Sequence, residues 1–156
     1  MSTTIEPRWE SSRPVASLCG QGPRFRAELD PARRAAEMAV VRDAMKAWMR
    51  DAGVADHVGA EILVAAGEAC ANVLEHSGAR RTDAAPAGWV EVGLESGVVQ
   101  VVVSDNGRWI ERDPAAFERR NRGRGRLLMA GLMDECEIST SGSGTTVTLR
   151  KAVPPG

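Results

Sequence analysis

The stretch Ile62 to Ser77, ILVAAGEACANVLEHS, constrains the fold more than any other part of the chain. Wound at 3.6 residues per turn, it puts Ile62, Ala66, Ala69, Cys70, Val73 and Leu74 on one broad apolar arc. Glu68, Asn72 and His76 then stand one above another on the opposite side. That polar row admits two readings. One is a solvated helix face. The other is a carboxylate and a carboxamide, one turn apart on a rigid base, that reach the same point and hold a metal ion beside a reacting group.

Composition narrows the class. The 156 residues suffice for one domain with a sizeable core, and a net charge of −1 gives no electrostatic case for nucleic acid or an anionic membrane. Cys19, Cys70 and Cys136 are widely spaced and odd in number, which points to buried thiols in a reducing compartment rather than disulfides or a zinc site. By this reading no stretch is long and apolar enough to span a bilayer, and the N-terminus lacks the layout of a signal peptide. A cytoplasmic protein is expected.

Residues 1–22 show no sustained periodicity and read as a mobile tail, 23–151 as one domain, and 152–156 as a second short tail. Pro23 to Leu29 alternates enough for a short edge strand. Asp30-Pro31 starts a helix in which Met38, Val41, Met45 and Trp48 recur at helical spacing until Gly53. That stripe suits either the core or a second subunit. Asp56 is the expected cap of the next helix, which carries Glu68 and Asn72 and stops near Gly78. After a loop to Gly88, Val90, Val92 and Leu94 alternate with polar residues in a strand buried on one face. Ser96-Gly97 turns the chain into Val98–Val103, which is apolar at nearly every position, as a central strand would be.

This strand runs into Ser104-Asp105-Asn106-Gly107, either a plain turn or an acid presented to a ligand at a strand end. The segment from Arg108 to Arg124 is long, polar and irregular, dense in arginine and glycine from Arg119 to Arg126, and reads as a lid or as an RNA-binding run. Its place between a buried strand and the apolar helix of Leu127, Leu128, Met129, Leu132 and Met133 favours a lid. Glycine with basic neighbours before that helix suits a phosphate. Cys136 to Thr140 and Thr145 to Lys151 read as two closing strands.

Taken in order, these are a helix with E-x-x-x-N-x-x-x-H, a strand ending in D-x-G, an arginine-bearing lid, GRGRLLM opening a helix, and GTT starting the last strand. The series resembles the ATP-binding domain shared by histidine kinases, gyrase B and heat-shock chaperone ATPases. It is most similar to the bacterial anti-sigma-factor serine/threonine kinases and to related modules attached to regulatory serine phosphatases. The resemblance spans Phe25 to Arg150. It implies an α+β fold: a two-layer α/β sandwich of the Bergerat type, whose mixed, mostly antiparallel sheet is covered on one face by helices.

It also implies roles. Asn72 would be the ligand of Mg2+, and Glu68 the catalytic general base or orienter for an incoming hydroxyl. Asp105 would accept from the adenine amino group, Gly107 would let the backbone approach the purine, and Thr145 would reach the adenine. Gly123 and Gly125 would line the phosphates of ATP, with Arg124 or Arg126 screening their charge. His76 would be a structural or pocket-edge residue rather than a phosphoacceptor. Trp109 and Arg126 stand where many relatives have glycine and leucine. The implied activity is phosphorylation of a STAS-domain anti-sigma-factor antagonist, with sequestration of a sigma factor and dimerisation through the first helix. An ATP-gated binding module with little catalysis is the alternative, and direct binding of nucleic acid is disfavoured.

Overall fold

The computed structural model describes residues 24–29, 34–77, 88–105, 125–141 and 144–154. The elements are β1 (Arg24–Leu29), α1 (Arg34–Asp51), α2 (Asp56–Ser77), β2 (Gly88–Glu95), β3 (Val98–Asp105), α3 (Arg126–Leu132), β4 (Glu135–Ser141) and β5 (Gly144–Ala152). The strands form one five-stranded sheet in the order β1-β2-β3-β5-β4. All four pairings are antiparallel, so the mixed sheet expected from the sequence is antiparallel throughout among the described residues. The fold is α+β, with the helices against one face.

Period-two alternation decides which side chains meet those helices. Val90, Val92, Val99, Val101, Val103, Val147 and Leu149 belong to one core with Ile62, Ala65, Ala66, Ala69, Cys70 and Val73 of α2. The small residues of α2 let it lie close to the sheet at the centre of the helical layer. The segment Asp56–Leu74 has a mean hydropathy of 1.2 and so meets the length and composition of a bilayer span, contrary to the sequence expectation. Half of it is buried inside the molecule, and its apolarity is that of a helix packed between a sheet and two other helices.

The Met38/Val41/Met45/Trp48 stripe of α1 also belongs to this core: Val41, Met45 and Met49 are buried, and Met38 and Trp48 pack against them. The stripe therefore has a place in the core of the molecule. Gly53, at φ +81°, ends α1 as expected. Its amide donates to the Arg50 carbonyl, and the Val54 amide to that of Met49, the paired bonds of a Schellman stop. Asp56 lies in the first turn of α2 rather than at its cap, because the Gly59 amide already donates to the Ala55 carbonyl. There its charge favours the helix N-terminus.

Ser96 (φ 51°) and Gly97 (φ +75°) join β2 and β3 in a two-residue turn with both central residues left-handed, the geometry that matches strand twist. The outer face of β2 is less exposed than the sequence suggests. Arg26 of β1 lies 3.6 Å from Glu91, and the two side chains are only 15% and 13% exposed. Burial pushes the Glu91 carboxyl up, and the charges of Arg26 and Arg24 offset part of that.

Cys70 and Cys136 are free thiols. Burial pushes the Cys70 thiol up to about 12, so almost none of it is the reactive thiolate at neutral pH. The folded protein at pH 8 is expected to leave Cys70 unmodified by iodoacetamide over hours and to expose it on denaturation, as mass spectrometry of the Cys70 peptide would show.

Candidate functional site

The candidate residues gather where the C-terminal half of α2 passes over the end of β3. Asn72 and Glu68 lie one turn apart on α2, both half-buried. Gly125, buried, immediately precedes α3 and faces them. A Cβ built on Gly125 would lie 3.3 Å from the Glu68 carboxylate (Oε2) and 3.8 Å from the Asn72 carboxamide (Nδ2). Gly125 has ordinary right-handed geometry (φ −63°, ψ −43°), so glycine is needed there for closeness and not for its backbone freedom. The structure thus brings together three groups that are far apart in the sequence: an acid, an amide and an approachable backbone.

Asp105 ends β3, and its carboxylate is buried. One of its oxygens, Oδ2, accepts from the Thr145 backbone amide at 3.0 Å. Beside it, the Ser104 and Thr146 hydroxyls lie 3.3 Å apart, tying the same two strands. Thr145 therefore orients the acid through its main chain, a contact the sequence does not announce. The link between Asp105 and the α2 residues is Gly88, the register partner of Asp105. A Cβ on Gly88 would lie 3.0 Å from the Asp105 Cα and 2.9 Å from a methyl of Val73, the residue after Asn72. Helix, acid-bearing strand and glycine meet at one end of the sheet.

Arg126, next to Gly125, is exposed, and its charge bears on the Cys136 thiol of β4, partly offsetting the upward push of burial there. Gly107, Trp109, Gly123 and Arg124 lie outside the described residues, as does the side chain of His76. Sequence reasoning passed over Gly88 and Lys151, although each carries a signal. A glycine inside a strand pattern often marks a close backbone approach. Lys151 follows Val147 and Leu149 on the inward face of β5, where a charge demands a partner.

The chain belongs to the histidine kinase-like ATPase domain family, whose sequence pattern it matches over residues 31–151. Among solved structures it is similar to the RsbU and RsbW domains of Rv1364c from Mycobacterium tuberculosis. That match has 26% identity and a TM-score of 0.66, and covers 86% of this chain and 34% of that one. It also matches the histidine kinase domain of the blue-light activated histidine kinase from Erythrobacter litoralis EL346. There the identity is 20% and the TM-score 0.49, over 77% of this chain and 61% of that one. This chain spans about a third of the length of the first structure.

The donor set suits the ligands of such a domain. Mg2+ is a hard cation that shares its shell between water, phosphate oxygens and one or two protein oxygens. A carboxamide and a carboxylate one turn apart, facing a glycine without a side chain in the way, carry oxygen donors of the kind that would fit such an ion.

Proposed function

We propose that this protein is a cytoplasmic, Mg-ATP-dependent serine/threonine kinase that phosphorylates a STAS-domain anti-sigma-factor antagonist and otherwise sequesters a sigma factor. The observation that carries the reading is Gly125 facing both Glu68 and Asn72, with Asp105 at the same end of the sheet. The resemblance to a structure containing an RsbW domain supports the choice of partners.

In this reading the Asn72 carboxamide oxygen holds Mg2+, which when bound neutralises phosphate charge. Asp105, held by Thr145, accepts from the adenine amino group; guanine offers an oxygen there and would meet a second acceptor. Gly123 and Gly125 bring backbone amides to the phosphates, while Arg124 or Arg126 screens charge and Gly107 admits the purine. Glu68 orients the antagonist's hydroxyl and takes its proton as the oxygen–phosphorus bond forms. The γ-phosphorus then parts from the bridging oxygen of ADP.

The test is calorimetry with Mg-ATP, followed by transfer of labelled phosphate to candidate antagonists. Wild-type protein is expected to bind Mg-ATP with micromolar affinity, and Asn72→Ala to bind about 100-fold more weakly through loss of a charge-assisted ligand. No heat from wild-type protein at millimolar ATP would end the reading. A second reading, an ATP-gated binding module with little catalysis, is motivated by Trp109 and by Arg126, which is exposed beside Gly125 where many relatives have leucine. Partner binding that survives Glu68→Ala and is lost in Asn72→Ala, with no phosphate transferred by wild type, would establish it.

A further inference from the structure

Helices α2 and α3 run antiparallel, and both ends of the pair are marked. At one end Gly125 faces Glu68. At the other, the Lys151 ammonium of β5 donates to the Leu132 carbonyl, in the last residue of α3, at 2.6 Å. The same nitrogen lies 2.7 Å from the Glu61 carboxylate of α2. Gly125 to Leu132 is seven residues, and so is Glu61 to Glu68. Each interval spans about 10 Å of helix axis, so the lysine sits two turns from the acid on either path.

We infer that Lys151 is a positioning residue, a latch that sets how far Gly125 stands from Glu68 and Asn72. Its side chain is only 15% exposed and comes from the inward face of the sheet. Neither helix can slide along the other without breaking a bond to that one nitrogen. A second fastening lies just beyond α3: the Asp134 amide donates to the Arg150 carbonyl, and the Asp134 carboxylate accepts from the Ala152 amide at 2.7 Å. The last turn of α3 is thereby fixed to β5, and Met129 packs its middle into the core. A seven-residue helix cannot hold itself in water, so its N-terminal position is set from its far end.

The bond from the Thr145 amide to Asp105, the proposed base-holding pair, joins β3 to β5. Loss of the latch should therefore separate two affinities that general destabilisation would lower together. This part of the inference rests on the ATP-binding reading; the geometry of the latch does not.

The experiment uses Lys151→Met, which keeps the apolar stem, and Glu61→Gln, which removes the charge of one partner at a half-exposed site. In nucleotide-free protein, hydrogen exchange of the α3 amides should quicken by about tenfold in Lys151→Met, while that of β3 stays unchanged. Affinity for ATP, by calorimetry, should fall by about tenfold, as expected when a binding backbone is displaced. Affinity for adenosine, by ligand-detected NMR, should stay within about twofold. Glu61→Gln should shift the ratio in the same direction by less. Exchange in α3 unchanged in both variants overturns the latch whatever the ligand. A wild type that binds ATP, with an unchanged ratio of ATP to adenosine affinity in both variants, overturns its role at the site. A wild type that binds no ATP takes down the functional reading alone, and the exchange arm still decides the latch.

Discussion

Glu68→Gln is expected to slow transfer of phosphate to the antagonist by about 10²–10⁴-fold while leaving ATP affinity within about threefold. Glutamine keeps the length and shape of the side chain, so the close packing beside Gly125 is preserved. What it loses is the ability to take a proton. If the acid acts on the hydroxyl in the transition state, the loss appears in kcat, with nucleotide binding spared. Single-turnover kinetics with saturating ATP, beside calorimetry on the same preparation, separates the two quantities. Equal rates for the variant and wild type would strip Glu68 of the role. A parallel fall in affinity would mean that the carboxylate serves the nucleotide instead.

Gly88→Ala should be among the most destabilising single-atom additions available to this chain. The new Cβ would collide with the Ser104 carbonyl oxygen, with Val73 and Asp105 close behind. Two of those three neighbours are backbone, and rotating a side chain cannot relieve them. The strand pair must open locally or α2 must lift. Overpacking of that severity costs about 3 kcal/mol, and a lowering of Tm by about 10 °C follows for a domain of this size. Because Asp105 is the register partner of Gly88, adenosine affinity should fall in whatever variant remains folded. Gly131→Ala is the control: its Cβ meets nothing within 4 Å, and a helical glycine replaced by alanine should gain a few tenths of a kcal/mol. A Gly88→Ala protein as stable as the control would refute the packing argument. Thermal melts decide it.

Much of this architecture was legible because it follows from local periodicity. The apolar arc of α2 is the core side of the helix, and the two-residue turn at Ser96-Gly97 fixes the β2–β3 register, because each signal lies within a few adjacent residues. The Glu68/Asn72 row was legible as a row only. Its companion Gly125 lies more than fifty positions away, and no period connects them. Thr145 illustrates the boundary. Its position in a GTT start suggests a nucleotide contact, yet its amide clasps Asp105, and which backbone group faces which acid depends on the pairing of β3 with β5. The α1 stripe shows the opposite difficulty. Apolar spacing states that a face is buried but not against what, and here it is α2 and the core. The bilayer expectation differs on length and composition alone: α2 meets both, because a helix half buried among other side chains needs the same apolar residues as one in lipid.

The bond between Thr145 and Asp105 has a consequence for how the molecule comes into being. The β2–β3 hairpin can close within microseconds around its tight turn, whereas β5 must be recruited across some forty intervening residues at a much larger loop-closure cost. Until that late pairing forms, the acid is present but unaimed. On the ATP-binding reading, a nascent chain without β5 would be blind to purines, and nucleotide would reward only the finished topology. Mass action then draws the last step of folding forward wherever the nucleotide is abundant.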